Sequence, residues 1–198
     1  MPPGAVSPGR GPWAVIVPQL FLLFLLTFIC ALGGYLFYKR QNLPGFGNPE
    51  ELLKDIPLLA VVGLILAAIS YILFDRYFVH LSPQSYPRNI FYILAVALKA
   101  ALTEEIILRW SITTLAVALL KSKKWGVVFS SAIALLFTFK YFNFIEIKIS
   151  WSYIFIVQVT LTFLSNLILG YLFVTKGLFH SMALKFFLGV RYLMVFAV

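Results

Sequence analysis

Long apolar runs, separated by short polar segments, dominate the pattern of this 198-residue chain. A helix needs about 20 apolar residues to cross a bilayer, and in lipid the backbone polar groups of such a run are satisfied only within a helix. The pattern therefore predicts an all-α, polytopic membrane protein, a bundle of about six transmembrane helices. These helices are predicted over residues 13–38, 56–74, 89–120, 125–142, 151–174 and 178–196.

The polar segments between the runs contain helix breakers. Pro49-Glu50-Glu51 predicts the start of a short interfacial helix ahead of the second span. Asp75-Arg76 and the breaker-rich residues 82–87 are expected to end that span, with His80 at the level of the lipid headgroups. Lys176-Gly177 predicts a tight turn between the last two spans.

The third run, residues 89–120, is too long for one straight crossing of the bilayer. It carries Lys99, Glu104, Glu105 and Arg109 in its middle. A long helix fits a bilayer by tilting or kinking, so a kinked or steeply tilted helix is expected here.

The composition agrees with a membrane protein, since 62% of the residues are hydrophobic and only 12% are charged. The net charge of +9 would suggest nucleic acid as a partner in a soluble protein. Here the cations flank apolar runs, as in Lys39-Arg40 and Lys121 to Lys124, which favours anionic lipid headgroups as partners and argues against nucleic acid. They also favour a cytoplasmic location for the first, third and fifth connections.

The chain is expected to form a single membrane domain over residues 13–198, after a Pro/Gly-rich flexible tail at residues 1–12. Cys30 is the only cysteine, which excludes a disulfide framework and a cysteine-based metal site within the chain. No metal and no cofactor are expected. The sequence sets no oligomeric state.

Glu104 and Glu105 are the residues that most strongly suggest chemistry. A carboxylate inside a bilayer costs several kcal/mol unless it is paired or hydrated, so an intramembrane acid is a functional hypothesis by default. Glu105 lies four residues before Arg109 and is its natural partner on a helix. Glu104 then lies on a different face of the helix from Glu105 and is the candidate to take a proton from water. The alternative is a buried structural ion network of both acids with Arg109 and Lys99.

The segment Glu104-Glu105-x-x-x-Arg109 inside an apolar helix resembles the first motif of the CPBP family. This family contains the CAAX prenyl endopeptidases and the bacteriocin-processing intramembrane proteases, also called the ABI family. The resemblance covers about residues 90–196. It implies a glutamate-activated water that attacks a peptide carbonyl, with histidine and asparagine side chains stabilising the oxyanion, and a prenylated C-terminus or a leader peptide as the substrate.

The second family motif, Phe-x-x-x-His, is only partly present. Phe137 matches the phenylalanine, but Tyr141 stands where the family has histidine. The third motif, His-x-x-x-Asn, aligns in one register with Lys185 and Gly189, and this register fits the neighbouring apolar pattern better. A second register places His180 in the histidine position.

These motifs define the candidate site. The predicted catalytic residues are Glu104, Glu105, Arg109, Tyr141 and Lys185, and the predicted substrate-binding residues are Phe137, His180 and Asn166. Gln158, Thr162 and Asn166 recur at four-residue spacing, a pattern that more often supplies interhelical hydrogen bonds than a pocket lining. By itself, His180 fits an interfacial polar residue beside Lys176 better than a ligand.

The leading functional hypothesis is a CPBP-type glutamate-dependent intramembrane endopeptidase in the plasma membrane of a prokaryote. The substituted second and third motifs support an alternative, a catalytically inactive relative that binds such substrates or partner helices without cutting them. A small transporter is a third class, because intramembrane Glu, Lys and Arg also occur in proton relays.

Overall fold

The computed structural model of the protein describes residues 13–81, 83, 86–87, 89–144 and 153–196. Within these ranges, the side chains at 13–16, 81, 137–144, 154 and 196 are outside the description. Over the described residues all regular structure is helical and no strand occurs, so the predicted all-α fold is confirmed. The tail predicted at residues 1–12 lies outside the described residues.

The chain forms nine α-helical segments within the described ranges. They are α1 (Trp13–Tyr38), α2 (Pro49–Ser70), α3 (Arg76–Leu81), α4 (Ile90–Lys99), α5 (Thr114–Leu120), α6 (Lys123–Phe144), α7 (Tyr153–Lys176), α8 (Leu178–Gly189) and α9 (Tyr192–Phe196). A short 3₁₀ turn, Lys39–Gln41, follows α1. π-Helical turns over Tyr71–Asp75 join α2 to α3, and the turns Ala100–Glu104 and Ile106–Thr113 join α4 to α5. The result is six long helices, in agreement with the number predicted.

Four described stretches are long and apolar enough to cross a bilayer. They cover Val17–Gln41, Pro49–His80, Phe155–Lys176 and Leu178–Val195. The protein is therefore an integral membrane protein with several membrane-spanning helices. The helix that runs from α4 to α5 carries the charged residues in its middle and packs among these spans.

The second span differs from the prediction at both ends. It begins at Pro49 rather than near residue 56, because the Asn48 side chain caps the helix by accepting a hydrogen bond from the Glu50 N–H (3.0 Å) and proline is well suited to the first helical position. The expected separate interfacial helix is therefore the first turn of α2. At the other end the helix continues past Asp75 to Leu81.

The third helix departs from regular α-helical winding in its middle. Two stretches of wide π-helical winding lie between α4 and α5 and flank Glu105. The Thr113 hydroxyl donates to the Leu108 carbonyl oxygen, five residues earlier (2.8 Å), as the wider winding permits. π-Helical turns are rare in proteins overall, and those that occur are often found at functional sites.

Two glycines that approach each other closely, Gly177 and Gly47, fix the turn between α7 and α8. Gly177 has φ +106°, a conformation that favours glycine, and a Cβ atom on it would meet the Gly47 backbone nitrogen at 2.5 Å. Leu178 N–H donates to the Gly45 carbonyl oxygen (2.9 Å), which ties this turn to the loop after α1. The predicted tight turn at Lys176-Gly177 is thus confirmed, and it directs α8 into the centre of the bundle against α2, α4 and α7.

The last predicted span is interrupted near its end. α8 ends at Gly189 and α9 begins at Tyr192, so that Val190 and Arg191 form a turn. This turn lies beside the cavity described below.

Candidate active site

Glu105 and Arg109 form a sealed ion pair. Arg109 Nε lies 3.4 Å from Glu105 Oε2, and both side chains have 0% exposure. The pairing expected from their four-residue spacing is confirmed. On its other side the Arg109 guanidinium donates to Asn166 Oδ1 on α7, and Asn166 Nδ2 donates to the Thr162 carbonyl oxygen (2.8 Å). The pair is therefore locked to a second helix.

Glu104 lies on a different face of the helix from Glu105, as expected for adjacent residues. Its Oε2 lies 2.9 Å from Lys185 Nζ on α8. The Glu104 side chain is half-exposed, whereas Lys185 is largely buried. Tyr141, Lys185 and His180 are the residues that the second and third motifs place in the site, and of these the structure shows Lys185 in direct contact with Glu104.

A cavity of about 480 Å³ opens beside Glu104 and Lys185. Its polar lining comes from the π-helical segments, from the connection after α3, from α7 and from α8 to the start of α9. The polar residues are Asp75, Tyr86, Glu104, Gln158, Thr162, Ser165, Asn166, Lys185, Arg191 and Tyr192. Its apolar lining includes Phe74, Phe78, Val96, Ile107 and Leu108. The volume lies within the range usual for ligand pockets.

The polar face of α7 has both of the roles that its spacing allowed. Gln158, Thr162 and Asn166 all line the cavity, although their pattern was interpreted first as a source of interhelical hydrogen bonds. Asn166 also makes such a bond, to Arg109. The face therefore connects the sealed ion pair to the open cavity.

Asp75, which was expected to end the second span, instead lies within the helix and lines the cavity. It is fully buried, with the Tyr86 hydroxyl donating to its Oδ1 (2.8 Å) and Arg191 Nε 3.4 Å from its Oδ2. Arg76 and His80, on the same helix, are exposed. The second span does not end at Asp75, because the buried partners of this acid lie elsewhere in the chain and hold its carboxylate inside the bundle. The one local signal was an acid between two apolar stretches.

His180 lies away from Glu104 and is not among the residues that line the cavity. It is 1% exposed, and its Nε2 is 3.4 Å from Asp55 Oδ2 on α2. Lys176 Nζ contacts the same carboxylate at 3.3 Å, so the two basic residues share one partner. Lys185 is five positions after His180, which puts the two about 140° apart around a helix. This rotation explains why only one of them reaches Glu104.

Gly189 lines the cavity where the preferred register puts the family asparagine. A Cβ atom on Gly189 would lie 2.9 Å from the Ala97 Cβ, so α8 and α4 approach too closely for a larger side chain unless one of them moves. This packing gives a physical reason for glycine at the position. The side chains of Phe137 and Tyr141 lie outside the description of the structure, so their roles stay predictions.

The family model described as type II CAAX prenyl endopeptidase Rce1-like matches residues 86–190, just over half of the chain. The match includes the acidic pair, Arg109 and Lys185, whereas Asp75 and Arg191 lie outside it. No curated protein and no solved structure gives a significant match to the chain. The chain belongs to the Rce1-like family of type II CAAX prenyl endopeptidases, which lies within the group that its acidic motif resembles.

Proposed function

We propose that this protein is a glutamate-dependent intramembrane endopeptidase that cuts a membrane-proximal peptide, either a prenylated C-terminus or a leader peptide. The observation that supports it most is the position of Glu104. Its carboxylate is accessible from a cavity with polar and apolar walls within a membrane bundle, while the adjacent Glu105 is fully buried. Family membership supports the same type of reaction.

In the proposed reaction Glu104 acts as the general base. Its carboxylate takes a proton from a water molecule, and the water oxygen attacks the carbonyl carbon of the scissile peptide bond. Glu104 then gives the proton to the leaving nitrogen as the C–N bond breaks, which yields a new carboxyl end and a free amine. Each proton transfer of this kind contributes about 10²- to 10⁴-fold to the rate.

Lys185 supplies the positive charge that this reaction needs. Its ammonium group lies 2.9 Å from Glu104, so a carbonyl oxygen beside the attacked carbon falls within its reach. An ammonium stabilises the negative charge that develops on that oxygen, the role that the family resemblance gives to histidine and asparagine. Lysine is a donor only and does not replace the donor and acceptor behaviour of histidine.

Glu105 and Arg109 are proposed to position Glu104. Arg109 holds Glu105 on one side and Asn166 on the other, so the π-helical segment that carries Glu104 is anchored to α7. Side chains locked by a second layer of contacts keep a catalytic group in its productive geometry.

A second function is supported by one specific observation. The Glu104 carboxylate is already bound by Lys185, and Gly189 has no side chain to donate a hydrogen bond. These features favour a protein that binds a peptide in the cavity without cutting it. Under this alternative the chain is a substrate-binding relative of the proteases.

The proposed setting is the plasma membrane of a prokaryote, which the resemblance to bacteriocin-processing proteases supports. Basic residues of two connections meet at one end of the bundle, where Lys123 Nζ donates to the Asn42 carbonyl oxygen (2.9 Å) beside Lys39 and Arg40. Such a basic end favours contact with anionic lipids on the cytoplasmic side.

The test is peptide cleavage by the purified protein in liposomes, measured as release of the new amine. The substrate panel contains a farnesylated C-terminal peptide and a leader peptide. Glu104→Gln is expected to lower turnover by about 10²- to 10⁴-fold, because an amide does not accept a proton from water. Glu50→Gln, on the exposed first turn of α2, makes the same chemical change away from the cavity and is expected to leave turnover unchanged.

Two results would decide against the protease. Turnover that survives Glu104→Gln would remove Glu104 as the base. A wild-type protein that binds the panel but cuts none of it would support the binding protein instead.

A further inference from the structure

Arg191 forms a second charged position on the wall of the cavity. It lies in the turn between α8 and α9 and lines the same cavity as Glu104. Its side chain keeps 21% exposure, whereas the carboxylate beside it, Asp75, is sealed at 1%. Both residues line the cavity, but the Arg191 side chain keeps more accessible surface than the acid that balances it.

Two contacts hold this guanidinium in place, and a third holds the acid that pairs with it. Asp75 Oδ2 lies 3.4 Å from Arg191 Nε, and the other Asp75 oxygen accepts a hydrogen bond from Tyr86 (2.8 Å). The Arg191 Cζ atom lies 5.2 Å from the centre of the Tyr192 ring. Arg191 is therefore fixed through its Nε edge and through the ring, an arrangement that pre-orients a planar group of five N–H donors.

The two cations that line the cavity differ in how closely their acids hold them. Lys185 is 2.9 Å from Glu104, within the range of a short charge-assisted hydrogen bond. The 3.4 Å between Arg191 and Asp75 exceeds the roughly 2.7–2.9 Å of such a bond. Of the two, Arg191 therefore has more N–H donors left to bind a ligand than Lys185 has.

We infer that Arg191 binds the free α-carboxylate of the substrate peptide, with Asp75 and Tyr86 as positioning residues. This inference rests on the proposed function, because it places the C-terminus of the cut peptide relative to Glu104 in one cavity. Arginine binds carboxylates through two parallel hydrogen bonds, which a C-terminal amide does not reproduce. The site therefore selects peptides that end within the cavity rather than internal loops.

This anchor also sets where the peptide is cut. A CaaX sequence ends three residues after its cysteine, and three extended residues span about 10 Å. With the carboxylate held at Arg191, the bond that reaches Glu104 is a fixed number of residues from the end. Asp75 and Arg191 both lie outside residues 86–190, so the family match assigns neither of them.

The experiment compares two dansyl-labelled farnesylated CaaX peptides that differ only in their C-terminus, one a free acid and the other an amide. Binding and cleavage are both measured with the full-length protein in nanodiscs. The wild type is expected to bind the acid about 10- to 100-fold more tightly, the range for a hydrogen-bonded charge pair. Arg191→Gln is expected to remove this preference by weakening the acid alone, mainly through KM rather than kcat.

Two variants control for folding and for charge. Arg191→Gln leaves Asp75 buried without its cation, so the double variant Asp75→Asn with Arg191→Gln removes both charges together and is expected to show the same loss of preference. Arg76→Gln changes an exposed arginine next to Asp75 and is expected to keep the preference.

The outcomes separate this inference from the proposed function. Equal binding of acid and amide by the wild type, no binding of either, or an acid preference that survives both Arg191 variants overturns the carboxylate site. Tighter binding of the acid that depends on Arg191, without cleavage, supports the site and overturns the protease. Cleavage of acid and amide at equal rates supports the protease and overturns the site.

Discussion

The ion pair of Glu105 with Arg109 and the pair of Lys176 with Asp55 have almost the same N–O distance, but the first is buried and the second is partly exposed. The N–O distances are 3.4 Å in the first and 3.3 Å between Lys176 and Asp55 in the second. Exposure is 0% for both side chains of the first pair, against 43% for Lys176 and 32% for Asp55. The N–O distance alone therefore does not say which pair is needed for the stability of the fold.

The difference lies in what replaces a lost partner. When an exposed charge loses its partner, water takes the vacant place, so a surface pair contributes little. A buried charge that loses its partner keeps the full cost of desolvation, so breaking a buried pair is strongly destabilising even where the intact pair adds little. The Glu105–Arg109 pair is thus required by its own burial, whereas the Lys176–Asp55 pair is replaceable.

The largest effect is expected from Arg109→Leu. This change leaves Glu105 charged and buried among helices, which is expected to lower the free energy of unfolding by about 3–5 kcal/mol. Denaturation of the protein in mixed micelles measures the loss. The double variant Glu105→Gln with Arg109→Leu removes both charges and is expected to recover part of it, and a double variant as unstable as the single one would break the comparison.

A smaller effect is expected from Asn166→Leu. The Asn166 side-chain oxygen accepts a hydrogen bond from the Arg109 guanidinium, and the loss of a buried bond to a charged group is worth about 1.5–3 kcal/mol. The same denaturation experiment measures it. Gln158→Leu is a matched control on the same face of α7, since Gln158 Oε1 is buried with no hydrogen-bond partner among the described residues. Equal losses in the two variants would contradict a specific role for the bond to Arg109.

The smallest effect is expected from Lys176→Gln. Lys176 contacts Glu51 and Asp55 at the exposed end of α7, and water replaces it. Unfolding and peptide turnover are both expected to match those of the wild type within error. A loss as large as that of Asn166→Leu would mean that the cluster stabilises the fold through Asp55 and the buried His180.

The helices and the sealed pair were predictable because their signals are local. Apolar runs gave α1 and α6 within a few residues, and the spacing of Glu105 and Arg109 on one helix face gave their contact. The start of a helix at Pro49 was predicted, but its continuity with the second span was missed, because the charges that follow suggested a separate interfacial helix.

The cavity was only half predictable, because its residues come from distant parts of the chain. Lys185 was placed near Glu104 through a motif register, and the contact at 2.9 Å agrees with that placement. Asp75 and Arg191 belong to no recognised motif, and nothing in their neighbours along the chain announces that they meet. The second register offered His180 for the same position, but its place on α8 directs it to Asp55.

The sequence by itself determined that this is an all-α membrane protein, roughly where most of its long helices lie, and that one acid has an arginine partner a turn away. Hydropathy and helical spacing are properties of neighbouring residues. Only the tertiary structure decided which helix faces meet. The close approach of Gly189 to Ala97 and of Gly177 to Gly47 sets the position of α8. That position brings Lys185 to Glu104, because packing between distant segments, and not the pattern within one of them, selects the partner of a buried charge.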